Sequence, residues 1–151
     1  MKVVSDTSVL IALDNIGRLW LLKTMFNEVL VPEAVAREYS GQLPSWIKVV
    51  KAEETSLVNT LMVSLHRGEA EAIALAIQVK ADLLLLDDKK ARLLAKRLGL
   101  KILGTIGVLI LAKKRSLIDS LEEEITRLLE KSFWLSRSIV DRALERARHD
   151  C

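Results

Sequence analysis

The chain has 151 residues, half of them hydrophobic, which is enough for one compact domain, residues 1–151, with a single substantial core. A formal charge of +3 permits a polyanionic partner without requiring one, while a single cysteine, Cys151, and only two histidines, His66 and His149, exclude an internal disulfide, a multi-cysteine zinc site and a histidine-rich metal centre. No apolar run approaches the roughly 20 residues that cross a bilayer, and the first residues lack the basic-then-apolar layout of an export signal, so the expectation is a cytoplasmic protein with no membrane partner.

Met1 to Ser5 reads as a short β-branched strand, and Asp6-Thr7-Ser8 is a polar break able to cap a helix from Val9 to Leu13. Ile16, Leu19, Trp20, Leu22 and Phe26 recur at helical spacing, and Glu28 to Val31 follows as a second strand. Pro32 suits the first turn of a helix carrying Val35, Glu38 and Tyr39. Gly41 and Pro44 punctuate a loop before a strand from Trp46 to Val50. Thr55 or Ser56 is placed to cap a helix running to about Leu65. Gly68 is expected to break it, and Glu69 to Val79 forms a helix apolar nearly all round, the pattern of an element covered on both sides.

Ala81 to Leu86 is a continuous apolar run that suits a strand buried in a parallel sheet, and it ends in Asp87-Asp88. A basic helix, Lys89 to Leu98, is closed by Gly99, and Lys101 to Leu103 is a further strand. Gly104-Thr105-Ile106-Gly107 then turns into an apolar helix ending at Lys113-Lys114-Arg115, and helices from Leu117 to Leu129 and from Ser136 to Ala147 complete the chain. Strands alternating with helices argue for a three-layer α/β/α sandwich around a mainly parallel sheet. In such sheets ligands bind beyond the carboxyl ends of the strands, where Asp6 and Asp87 both fall.

A carboxylate at the tip of a buried strand is costly unless neutralised, and several in one pocket repel one another. A divalent cation resolves both problems. Magnesium and manganese prefer oxygen ligands, and in such a site the cation activates water and stabilises charge on a scissile phosphate. Asp6 is the first candidate, with Thr7 and Ser8 as supporting hydroxyls; its competing role is a helix cap. Glu69 shares the apolar face of its helix with Ala72, Ile73 and Ala76, an odd place for an acid whose only use is a favourable charge at a helix start. Glu71, rotated away, is a secondary candidate. Of Asp87 and Asp88, one can cap the next helix while the other faces the site, with Asp87 preferred as ligand and Asp88 held second. Glu38 shares a face with Val35 and Val31, which turns it inward, while Glu33 and Arg37 nearby make an exposed surface acid its competing role.

Taken together, Val3-Val4-Ser5-Asp6-Thr7-Ser8, Leu30-Val31-Pro32 with Glu38, Gly68-Glu69-Ala70-Glu71-Ala72-Ile73 and Leu84-Leu85-Leu86-Asp87-Asp88 resemble the PIN-domain nucleases in order and spacing. Leu98-Gly99-Leu100 through Gly104-Thr105-Ile106-Gly107-Val108-Leu109 is similar to a prokaryotic toxin-like subgroup, and the resemblance covers nearly the whole chain. It implies a central parallel sheet, a pocket binding Mg2+ or Mn2+ through Asp6, Glu38, Glu69 and Asp87, and endonuclease cleavage of RNA. It also implies, for VapC-like relatives, a homodimer silenced by a small antitoxin protein. Two departures stand out: Glu at the third acidic position where many relatives carry Asp, which leaves Glu69 and Glu71 both open, and Val9 where close relatives often have proline.

Lys89, Lys90 and Arg92, with Lys96 and Arg97, are positioned to draw a phosphate backbone toward the acids, and Lys113, Lys114 and Arg115 to extend that path, although such charges are more often a solvated helix face. Trp20, Trp46 and Trp134 read as core or interface residues rather than base-stacking platforms. A haloacid dehalogenase phosphatase needs a second acid two residues after the first, where this chain has Ser8. A receiver domain needs its acid pair after the first strand, not a late one. The remaining rival is a catalytically weak PIN module that binds RNA or a protein partner.

Overall fold

The structure, a computed structural model, describes residues 1–131 together with 144 and 145. Five strands, β1 (Val3–Ser5), β2 (Val29–Val31), β3 (Ile47–Val49), β4 (Leu83–Leu85) and β5 (Ile102–Leu103), form one sheet in the order β3-β2-β1-β4-β5. Every pairing is parallel, with Val4 opposite Leu30 on one side and Leu84 on the other. Around the sheet lie α1 (Thr7–Asn15), α2 (Trp20–Phe26), α3 (Glu33–Glu38), α4 (Thr55–Leu61), α5 (Arg67–Gln78), α6 (Lys89–Arg97), α7 (Thr105–Lys114) and α8 (Leu121–Glu130).

The pleat sorts the core into two layers. Val3, Val29, Val31 and Leu85 point toward α1, α2, α7 and α8, where they meet Leu10, Leu13, Leu22, Leu109 and Ile125. Val4, Leu84 and Leu86 point the other way, onto α4, α5 and α6 through Val58, Ile73, Ala91 and Ala95. Because both faces are covered, neither face of β4 can be polar, which is why its sequence runs apolar without alternation. Residues Gly68 to Ala76 of α5 are all buried, as its all-round apolar sequence requires. This is the expected α/β sandwich.

Several boundaries differ from the sequence expectation for physical reasons. Asp6 takes the cap role open to it as the N-cap of α1, its carboxylate accepting the Thr7 amide, so the helix begins at Thr7 rather than Val9. The residue capping α4 is Glu54, without a side-chain bond, and the helix stops at Leu61 because the chain turns through Val63 and Ser64. Gly68 does not break a helix but lies inside the first turn of α5. The start of α8 moves to Leu121 because the Ser120 hydroxyl caps it by accepting the Glu123 amide. The helix expected from Ser136 to Ala147, with Trp134 ahead of it, lies outside the described residues apart from positions 144 and 145, where Leu144 packs against the core. Among the described residues no helix is long and apolar enough to cross a membrane.

The strand order sets where a site can form. From β1 the chain leaves toward β2 over one face, and from β4 it leaves toward β5 over the other. The two exits diverge between adjacent strands, opening a crevice at their carboxyl ends.

Candidate metal centre

The first acid stands at the mouth of that crevice. The Asp6 amide donates to the Leu85 carbonyl at 3.0 Å, extending the β1–β4 ladder by one rung and placing Asp6 beside the end of β4. Asp6 is 2 % exposed. Its Oδ1 accepts the Thr7 amide at 2.5 Å, while Oδ2 is buried with no hydrogen-bond partner. Burial pushes this carboxyl up to about 7; the Thr7 amide opposes the rise, and the neighbouring Glu69, Glu38 and Asp87 charges add to it. Residues from three other parts of the chain therefore act on one buried oxygen pair.

Each neighbour is positioned by a helix start. Asp87 ends the β4 segment and is received by α7: its Oδ1 accepts the Thr105 amide at 2.7 Å and its Oδ2 the Thr105 hydroxyl at 2.5 Å. Burial raises the Asp87 carboxyl, opposed by those two bonds and by the Arg92 guanidinium. Glu69, in the first turn of α5, accepts the His66 amide at 3.2 Å and is likewise raised, by burial first, with the His66 amide opposing and Asp88 and Glu38 adding repulsion. Glu38, the last residue of α3, lies on the exposed side, where its Oε2 accepts the Thr7 hydroxyl at 2.8 Å. The positive ends of α1, α5, α6 and α7 all face this crevice, which lowers the cost of gathering acids there.

Glu71 and Asp88 are occupied otherwise. Glu71 accepts the Ala34 amide at 3.1 Å and pairs with Arg67, so it ties α5 to the start of α3. Asp88 caps α6 by accepting the Ala91 amide at 2.9 Å. Ser8 is exposed, and Thr7 is the hydroxyl that reaches an acid. Lys89 and Lys90 are exposed at the start of α6, on the crevice side. Arg92 departs from the expected solvated cation: half-buried, it donates to the Leu86 carbonyl at 3.0 Å beside Asp87. The path through Lys113, Lys114 and Arg115 is corrected by helix direction. These residues end α7, whose start holds Asp87, so they lie about 14 Å away along the axis, toward the amino ends of the strands. Arg115 there donates to the Met25 carbonyl. Trp20 is 42 % exposed with the Arg18 guanidinium 6.0 Å from its ring centroid, and Trp46 packs half-buried against the core.

Sequence reasoning overlooked three contributors. Thr105 repeats at the end of β5 the strand-then-hydroxyl pattern of Thr7 after β1, and that repetition was the available signal. Gly68 and Gly104 are small because acids press on them: an added Cβ would come within 2.7 Å of Glu38 Oε1 at the first, and within 2.6 Å of Arg92 Nη1 and 2.8 Å of Asp87 Oδ1 at the second. Gly68→Ala is expected to leave the melting temperature nearly unchanged, since the Glu38 side chain can swing aside. It should weaken divalent-metal affinity about tenfold, measured by calorimetric titration. Thr105→Val, which keeps the shape but removes the hydroxyl from Asp87, is expected to cost about 1–3 kcal/mol in urea unfolding.

The donor set fits a hard divalent cation: carboxylate oxygens from four separate segments, one of them buried and unpartnered, with no sulfur or imidazole among them. As the side chains stand, no three acidic, histidine or cysteine groups among the described residues close on one point that could hold an ion. Glu38, Glu69 and Asp87 accept hydrogen bonds from Thr7, His66 and Thr105 respectively, and the two glutamates have the side-chain freedom to come forward. A family model described as a PIN domain matches residues 2–149. No curated protein matches the chain.

Proposed function

Since the chain belongs to the PIN-domain family, whose members are generally nucleases, we propose that it is a metal-dependent endoribonuclease that hydrolyses RNA phosphodiester bonds. The observation that carries this reading is the buried, unpartnered Asp6 Oδ2 at the strand-order crevice, under repulsion from Glu69, Glu38 and Asp87. Asp6, Glu38, Glu69 and Asp87 would hold Mg2+ or Mn2+. When bound, the cation lowers the pKa of a coordinated water and neutralises charge that develops on the scissile phosphate. Asp6 keeps its place through the Thr7 amide, Thr105 holds Asp87 by both its amide and hydroxyl, and the helix starts around the crevice favour an incoming phosphate. Lys89 and Lys90, exposed at the start of α6, supply positive charge on one approach to the acids.

Incubation of the purified protein with mixed RNAs and manganese, beside a chelated sample and an Asp6→Asn variant, tests the reading. Cleavage only in the first sample is expected. Equal survival of RNA in all three would point instead to a catalytically weak PIN module that binds RNA or a protein partner. The small size and toxin-like segments extend the proposal to the toxin of a toxin–antitoxin pair, a homodimer silenced by a small antitoxin. Expression of the wild type alone should then arrest growth while Asp6→Asn does not; equal growth of both strains would remove the toxin role.

A further inference from the structure

Two arginines beside the acids are not used by the nuclease reading. Arg37 precedes Glu38 in α3, and Arg67 precedes Gly68 in α5. The two helices pass head to tail: the Glu38 carboxylate lies against Gly68, and one turn further along α5 Glu71 accepts the amide of Ala34 at the start of α3. This brings both guanidiniums to one carboxylate, with Arg67 Nη1 at 3.2 Å and Arg37 Nη2 at 3.9 Å from Glu71 Oε2.

The arrangement leaves charge to spare. Glu71 is 7 % exposed and its other oxygen is already satisfied by the Ala34 amide, so a single buried carboxylate anchors two cations. The arginine side chains themselves are 62 % and 53 % exposed, leaving donors of each fork facing solvent. A guanidinium held in place by a buried partner loses less freedom on binding an anion than a free surface lysine does. The pair lies next to Glu38, on the side of the acids away from Arg92 and the start of α6.

We propose that Arg37 and Arg67, anchored on Glu71, grip a phosphate adjoining the scissile one in single-stranded RNA, so that the strand crosses from the α3–α5 contact over the acids toward α6. This deepens the nuclease reading and rests on it. Binding of a fluorescent single-stranded RNA, followed by anisotropy in chelator so that nothing is cut, separates the two. Arg37→Gln and Arg67→Gln should each weaken binding about five- to tenfold and lower the slope of log affinity against log salt by about 0.7. Lys101→Gln, exposed just before β5 at the amino ends of the strands, should change neither. Should a glutamine variant fail to fold, the Arg37→Lys, Arg67→Lys double variant keeps the charge beside Glu71 but loses both forks. It is expected to retain the slope and bind about threefold more weakly. Unchanged affinity and slope in variants that melt normally, with cleavage still abolished by Asp6→Asn, would overturn this inference and leave the nuclease intact. Failure of the wild type to bind RNA at any salt would overturn both.

Discussion

The Asp6→Asn substitution is expected to abolish metal-dependent RNA cleavage, by at least about a thousandfold, and at the same time to stabilise the metal-free protein above pH 7. Both halves follow from one position. The amide side chain keeps an oxygen to cap α1 through Thr7, so the fold survives, and its NH2 group replaces the unpartnered Oδ2 with a donor facing Glu69, Glu38 and Asp87. Lost activity with a raised melting temperature separates chemistry from misfolding. The pH dependence has a definite sign. Folded Asp6 keeps its proton up to about 7, whereas the unfolded chain releases it near 3.8. Between those values the native state binds more protons, so the metal-free wild type loses stability as pH rises, by at most on the order of 4 kcal/mol from this group. Glu69 and Asp87, both also raised, push the same way, so the Asp6→Asn protein should show a shallower decline rather than none.

Manganese at about a hundred times its dissociation constant should raise the wild-type melting temperature by about 5–10 °C at pH 8, because binding to the folded state alone contributes about 2.7 kcal/mol and each kcal/mol moves a chain of this size by about 2–4 °C. The gain should fade below about pH 6, where a proton on Asp6 competes with the ion, and should vanish in the Asp6→Asn protein. A thermal shift measured across pH checks both. An equal gain in wild type and variant would mean that the ion binds elsewhere.

The strands and the acids at their ends were legible in the residues because burial on both faces leaves a strong signature: Leu83 to Leu86 is apolar without a break, and a charge directly after it has to lie at a strand tip. The capping and ligand roles that competed for Asp6 and for the Asp87–Asp88 pair were harder to separate, since both need an oxygen at a helix start. In the structure Asp6 caps with one oxygen and leaves the other unpartnered, while Asp88 caps and Asp87 is held by Thr105. Gly68 was misread because local propensity makes glycine a helix breaker, whereas here the space it frees belongs to Glu38, thirty residues earlier in the chain. The second basic cluster was misplaced for a related reason. Composition shows charge but not direction, and only the antiparallel run of α7 against the sheet reveals that Lys113, Lys114 and Arg115 end far from the acids. The Arg18–Glu124 pair was equally invisible: Glu124, 2 % exposed, accepts Arg18 Nε at 2.9 Å and Nη2 at 2.7 Å across more than a hundred residues, tying α8 to the α1–α2 turn.

Anomalous diffraction from a crystal soaked in manganese reads directly whether these carboxylates share an ion. The expected result is one peak at the carboxyl ends of β1 and β4, about 2.1 Å from oxygens of Asp6 and at least one of Glu38, Glu69 and Asp87. Ordered manganese at other places on the protein, with no density at Asp6, would reduce the four acids to hydrogen-bond acceptors at helix starts and contradict the metal centre.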